Sequence, residues 1–232
     1  MANEVLAEQI DYYRARAGEY DEWFFRKGRY DRGSESNERW FRSVEEVRSE
    51  LRSFQAVGDV LEIACGTGLW TQILAETAAS LTAIDSSPEV LNLNRERVRS
   101  PVNYVQANLM EWVPDRTYDV VFFSFWMSHV PPDQFEGFWG KVSKSLNENG
   151  RVFLIDSLRE STSTAKDHHL DDSSNPIVTR RLNDGKEFQI IKVFYDPDDL
   201  RANLHRMGWS STLKTAGGYF FYGAVERSDR LV

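Results

Sequence analysis

The rhythm of hydrophobic and polar positions changes about a quarter of the way along the chain. Over the first fifty-odd residues the spacing is helical. In YYRARAGEYDEWF, Tyr13, Ala17, Tyr20 and Phe24 recur at intervals of four, three and four. Those intervals predict one face of a helix that runs through Gly18, its weak point. A basic, Gly-containing stretch, RKGRYDRG, follows. ESNERWFRSVEEVRSELRSF then sets Trp40, Val44, Val47 and Leu51 on one face of a second amphipathic helix.

From residue 57 short apolar runs alternate with helical stretches. Residues 60–65 form a run that ends in Gly-Thr-Gly, and 69–79 read as helix. Residues 81–84 form a run ending at Asp85. Ser87-Pro88-Glu89 opens a helix, with Ser at the N-cap and Pro in the first turn. Residues 102–106 make a third run. Residues 119–126 are apolar at nearly every position, as in a strand covered on both faces. Pro131-Pro132-Asp133 starts the next helix, Asn149-Gly150 ends it, and 151–156 make a fifth strand. Such alternation predicts an α/β fold, a mostly parallel sheet with helices on both faces.

Residues 158–176 are polar and read as a loop. Residues 177–182 and 186–194 flank Asn183-Asp184-Gly185, a hairpin signal. Residues 196–207 are helical and Gly208 closes them. Residues 209–215 and 219–225 flank Gly217-Gly218 and read as a final antiparallel hairpin. The domain reading is a helical cap over 1–55 and a core over 56–232. A loop and hairpin over 158–195 are inserted on its ligand side.

Composition narrows the function. Of the 232 residues 41% are hydrophobic, and seven Trp, nine Tyr and fourteen Phe supply a large core, which excludes whole-chain disorder. With 28 basic and 36 acidic residues the net charge is -8. That balance argues against a nucleic-acid partner, which favours a basic face. The single cysteine, Cys65, excludes an internal disulfide and fits a reducing compartment. No stretch has the length of a membrane span, and the first residues lack a signal-peptide pattern, so the expected setting is cytoplasmic.

The chemistry concentrates in Val60-Leu61-Glu62-Ile63-Ala64-Cys65-Gly66-Thr67-Gly68-Leu69-Trp70. A strand breaks at a glycine pair and enters a helix, where a ligand approaches free backbone N–H groups. A dinucleotide fingerprint requires a third glycine where Thr71 stands, and no Gly-Lys-Ser/Thr follows for a nucleotide triphosphate. Glu62 would repel a pyrophosphate and attract an ammonium or sulfonium. Asp85, at the end of the second strand, suits ribose hydroxyls. A ribose with a cationic amino-acid tail satisfies both acids, which points to S-adenosylmethionine (SAM).

The chain resembles the class I SAM-dependent methyltransferases. Glu62-x-x-x-Gly66-x-Gly68 matches the family's first motif and Asp85-Ser86-Ser87-Pro88 its second. Gln106-Ala107-Asn108-Leu109 matches the third, with Asn108 where an acid usually accepts from adenine. Tyr118-Asp119-Val120-Val121 through His129 matches the fourth. The resemblance covers about residues 13–226. It implies a Rossmann-like seven-stranded sheet with a terminal antiparallel hairpin, SAM as cofactor and S-adenosylhomocysteine (SAH) as product. By that resemblance Glu62, Ala64, Gly66, Thr67 and Gly68 surround the cofactor's tail, and Asp85 and Ser86 its ribose. Ala107, Asn108 and Leu109 lie at adenine, with Ser124 and Phe125 at the end of the fourth strand. Tyr13 and Tyr20 face the methionyl end, and Arg29 pairs its carboxylate.

Methyl transfer from a sulfonium is an in-line displacement with a good leaving group, so alignment dominates. A poorly acidic hydroxyl or an ammonium also requires a base, and His129 is the candidate, against a purely loop-stabilising role. Trp126, His129, Arg180 and Tyr195 are the candidate acceptor contacts, Arg180 as a grip on an anion if the hairpin covers the site. The expected function is methylation of a small molecule, with oxygen favoured because of His129. The alternatives are a nicotinamide-dependent oxidoreductase, a nucleic-acid methyltransferase and a SAM-binding module without turnover. Asp167-His168-His169-Leu170-Asp171-Asp172 has metal-ligand residue types but lies in the polar loop. It reads as a solvated loop or a lid that orders on binding, and no metal is expected.

Overall fold

Apolar runs in the second half of the chain become strands because each is covered on both faces. The computed structural model describes residues 2–168, 170 and 175–228. One sheet holds β1 (Gly58–Ile63), β2 (Ala78–Asp85), β3 (Asn103–Gln106), β4 (Tyr118–Ser124), β5 (Leu146–Ser157), β8 (Trp209–Ala216) and β9 (Phe220–Arg227). Its order is β3-β2-β1-β4-β5-β9-β8. The first five are parallel, and β9 runs against both of its neighbours. A separate two-stranded sheet pairs β6 (Ile177–Arg181) with β7 (Glu187–Ile191). This is the α/β architecture that the strand-helix alternation predicts.

Alternation along β4 divides the core. Val121 and Phe123 point into one layer with Phe138, Trp139 and Val142 of α6 (Phe135–Lys144) and Leu200 and Leu204 of α7 (Pro197–Arg206). Val120 and Phe122 point into the other, with Trp40, Val44, Val47 and Leu51 of α3 (Ser34–Phe54). Thus α3 belongs to the sheet's own helical layer. Only α1 (Ala2–Ala15), α2 (Tyr20–Phe24) and the turn at Gly28–Tyr30 are left to cover the site. The hairpin packs on α1 through Leu182, Phe188 and Ile190 against Tyr12.

Three boundaries differ from the sequence expectation. The helix expected through Gly18 stops at Ala15 and restarts at Tyr20, with turns between them. The helix expected over 69–79 is reduced to α4 (Thr71–Leu74), because β2 already begins at Ala78. Asn149-Gly150 does not end α6. That helix closes at Lys144, and 146–150 are recruited into β5 where Leu146 pairs with Tyr118. The caps follow the local rules: Ser87 accepts from Val90 N (3.2 Å) at the start of α5 (Pro88–Arg97), and Asp196 from Asp198 N (2.8 Å) at α7. No helix among the described residues is long and apolar enough to cross a membrane.

Candidate active site

The strand order reverses between β1 and β4, and at such a point the carboxyl ends of the strands leave a crevice. Both strands end there in left-handed backbone at non-glycine residues, Ala64 (φ 56°) and Phe125 (φ 53°). That strain is concentrated where functional sites commonly hold it. Between them runs the glycine loop. A Cβ on Gly68 (φ 89°) would lie 2.8 Å from Asn94 Oδ1, whereas one on Gly66 would meet nothing within 4 Å. Gly68 is therefore fixed by packing, and Gly66 borders open space.

Asp85 organises the loop. Its Oδ2 accepts from Gly66 N and its Oδ1 from Ser87 N, both at 3.0 Å, while burial raises its carboxyl above the usual range. Asn94, from α5, donates to Gly66 O (3.1 Å) and Thr71 Oγ1 (2.9 Å) and accepts from Tyr104 OH (2.8 Å). Glu62 is sealed beneath the loop. Among the described residues neither of its oxygens has a hydrogen bond of ordinary geometry, and burial, opposed by Thr71, lifts its carboxyl to about 8.

The crevice opens into a cleft of about 490 Å³. Tyr13, Tyr20, Ala64, Gly66, Asp85 and Ser86 line it, with Val90, Leu109, Ser124, Phe125, Trp126 and His129. Trp126, a candidate acceptor contact in the sequence, lines this cleft and not the neighbouring cavity that Arg180 lines. Thr67 turns away and donates to Asp21 Oδ1 (2.6 Å), where Arg97 also pairs with Asp21. Asn108 Oδ1 accepts from Met110 N (3.1 Å), and Ala107 N donates to Asp85 O (3.0 Å), so both shape the wall without lining the cleft. Arg29 is not at the cleft. It pairs with Asp167 (3.1 Å) and donates to Arg181 O, which fastens the turn after α2 to the hairpin. Arg32 continues this staple by donating to Thr164 O (2.9 Å) and Ala165 O (3.1 Å).

A second cavity adjoins the first and shares Tyr13, Tyr20, Phe125 and His129 with it. Its other walls include Tyr12, Arg16, Tyr30, His168, Arg180 and Lys192. No carboxylate lines it among the described residues. Arg16 and Arg180 are buried, and the Lys192 side chain is 9% exposed. Arg16 donates to Tyr30 OH (3.1 Å), and among the described residues its Nε and the buried Tyr12 hydroxyl have no partner. Arg180 donates only to its neighbour Thr179 O (3.3 Å) among the described residues. Arg180 thus lines the cavity next to the cleft. Tyr195 does not, because it packs on Phe135 and faces a groove beside α7.

His129 sits at the shared wall with both ring nitrogens engaged. A carbonyl only accepts, so Nδ1 donates to Ile191 O (2.6 Å), and Nε2 carries the lone pair that accepts from Tyr13 OH (2.8 Å). Burial, helped by Lys192 and Arg180, holds the imidazole far below its ordinary pKa. Burial also raises the Tyr13 phenol well above its ordinary range. Gln9 of α1 clips the frame together by donating to His129 O (3.2 Å) and accepting from Ile191 N (2.9 Å).

A family model described as a methyltransferase domain matches residues 60–176, just over half of the chain. The chain belongs to the methyltransferase family. A solved structure of DhpI with SAH is 33% identical to it, covers 97% of this chain and 98% of its own, and superposes with a TM-score of 0.78. DhpI in complex with SAM and HEP gives 34%, 96%, 97% and 0.76. An uncharacterized methyltransferase from Staphylococcus carnosus (strain TM300) is 29% identical over 127 residues, 55% of this chain. That match spans 60% of the relative's own length. The methyltransferase is SAM-dependent, and the nicotinamide reading of Asp85 gives way.

Sequence reasoning did not find Tyr12, Arg16, Gln9 and Asn94 as site residues. Arg16 lies in the broken segment that the spacing reads as continuous helix, and a lone Gln or Asn carries no pattern. Of the candidate metal cluster, His169, Asp171 and Asp172 lie outside the described residues. Asp167 pairs with Arg29, and His168 Nε2 accepts from Arg181 N (3.1 Å) with its pKa driven down to about 3 by burial and Arg180. Among the described residues no group of three His, Cys, Asp or Glu is arranged to hold a metal.

Proposed function

We propose that this methyltransferase moves the methyl group of SAM onto an anionic oxygen of a small acceptor. The observation that carries the reading is the second cavity, where three buried cations, Arg16, Arg180 and Lys192, share a chamber that no described carboxylate lines. Arg16 and Arg180 have no carboxylate partner among the described residues, and unpaired buried charge is unfavourable, so such a chamber suits a ligand that neutralises it. The DhpI complex that holds both SAM and HEP supports a second ligand bound together with the cofactor.

The residues at hand fit the cofactor. Gly66 borders open space, Asp85 presents a buried carboxylate to the cleft, and Glu62 is an orphaned acid beneath the loop. Asp85 and Ser86 would hold the ribose, Leu109 the adenine, and Tyr13, Tyr20 and Phe125 the methionyl end. When bound, SAM supplies a methyl on a cationic sulfur that leaves as a neutral thioether. Arg16, Arg180 and Lys192 orient the oxyanion, and α1, α2 and the hairpin exclude water. The oxygen lone pair forms the new C–O bond as the C–S bond breaks in line, and no proton has to be removed.

This reading changes the part of His129. A neutral imidazole whose lone pair already accepts from Tyr13, in the field of three cations, is a weak base. Its role is to orient the Tyr13 hydroxyl at the wall between the chambers. The test is SAH formation with SAM and a panel of small carboxylates, phosphate monoesters, HEP and neutral alcohols. Turnover confined to the anions supports the proposal. Turnover of neutral alcohols that His129→Ala abolishes would restore the base.

A further inference from the structure

The hairpin lysine is supported from behind by an acid that lines neither cavity. Asp156, next to last in β5, is 1% exposed. Its Oδ2 accepts from Ser128 N (2.9 Å), and its Oδ1 accepts from Ser157 N (2.7 Å) and lies 3.6 Å from Lys192 Nζ. The ammonium donates to Ser128 Oγ (2.8 Å) and has the Phe194 ring centre at 5.2 Å. The backbone is fixed on both sides of the lysine, by His129 Nδ1 on Ile191 O and by Val193 N on Ser128 O (2.8 Å). We infer that Asp156 is a positioning residue that keeps Lys192 charged and directed into the acceptor cavity, an inference that rests on the anionic-acceptor reading above.

The charge balance around the lysine explains why it requires such a residue. Arg180 of β6 and Arg16 beyond α1 face it with like charge. His129 is neutral, and His168 from the polar loop is held neutral on the same wall. Burial, then Arg180 and Arg16, push the ammonium below its ordinary range, and Asp156 is the group that opposes them. A positively charged chamber tends to discharge its own lysine, because a lysine loses its proton more readily than an arginine. An anion behind the lysine stabilises the charge without occupying the space in front of it. The carboxylate's two main-chain bonds fix its direction at the carboxyl end of β5.

The experiment follows the Lys192 Cε resonance through a pH titration of the SAH-saturated full chain labelled with ¹³C,¹⁵N-lysine. Lys192→Arg assigns the signal. Asp156→Asn is expected to lower the lysine's midpoint by about one to three pH units, the usual effect of losing an opposite charge at this range. Ser128→Ala, which keeps the carboxylate, is expected to lower it by less. An unchanged midpoint in Asp156→Asn overturns the inference, and so does an equal shift in Ser128→Ala. If Asp156→Asn does not fold, the wild type decides. Nζ protons that exchange more slowly than those of surface lysines support the pairing, and exchange at the surface rate refutes it. Calorimetric SAH binding and turnover on the anion panel report separately on the methyltransferase and acceptor readings.

Discussion

Replacing Arg180 with methionine is expected to stabilise the acceptor-free protein while removing its turnover. Arg180 is 9% exposed, shares its chamber with Arg16 and Lys192, and has one weak bond to its own neighbour among the described residues. Burial, with Arg16 adding to it, disfavours the charged form. Buried ionic groups replaced by apolar ones of similar volume commonly gain about 1–4 kcal/mol. The cavity is connected to solvent, so the lower end applies, about 1–2 kcal/mol. For a chain of this length each kcal/mol moves the midpoint by about 2–4 °C, so a rise of about 2–8 °C is expected. The assay is thermal unfolding at pH 7 with saturating SAH, beside SAH formation on the anionic panel. A fall in midpoint with turnover retained would refute the reasoning and make Arg180 a structural residue.

Acid is expected to destabilise the protein through its buried imidazoles. The folded pKa of His129 lies well below its unfolded value near 6.5, so below that value the unfolded chain binds a proton that the native state refuses. The contribution of His129 is therefore intact above pH 6.5. It is lost as pH falls, at a slope approaching about 1.4 kcal/mol per pH unit, and denaturant titrations of His129→Gln between pH 8 and pH 5 should lack that slope. The partly exposed His168, shifted in the same direction, adds less. Asn94→Ala is expected to cost about 2–3 kcal/mol in denaturant unfolding and to weaken SAH, since it frees Gly66 O and Thr71 Oγ1. Asp21→Asn loosens α2 from the glycine loop at a pair whose side chains are about a quarter exposed, so calorimetry should show SAH binding weakened only about three- to five-fold.

Legibility in the sequence followed the physical origin of each feature. Strands such as 119–126 are readable because burial on both faces demands an apolar residue at nearly every position. The hairpin at Asn183-Asp184-Gly185 is readable because its turn requires Gly185, which adopts φ 90°. The glycine loop and Asp85 are readable because close approach to backbone leaves few residue choices. The end of α6 was misread because Asn149-Gly150 also serves within a strand, where pairing of Leu146 with Tyr118 decides. Arg16 and Tyr12 of the cationic chamber escape because three segments distant in sequence meet there, and no single spacing records such a meeting. Arg29 was expected at the cofactor from its place in the cap, yet one staple to Asp167 and Arg181 O takes it elsewhere.

The cationic chamber also bears on how each reaction ends. When an anionic oxygen receives the methyl group, one negative charge disappears from the occupant while Arg16, Arg180 and Lys192 remain. The attraction that admitted the acceptor therefore weakens at the moment the bond forms, and the methylated molecule leaves a chamber that favours the next unmodified one. An acceptor with two ionisable oxygens would re-enter for a second transfer with half its original hold. On the anionic-acceptor proposal, a pocket lined in this way would tally methyl groups by charge and favour release of the singly methylated product.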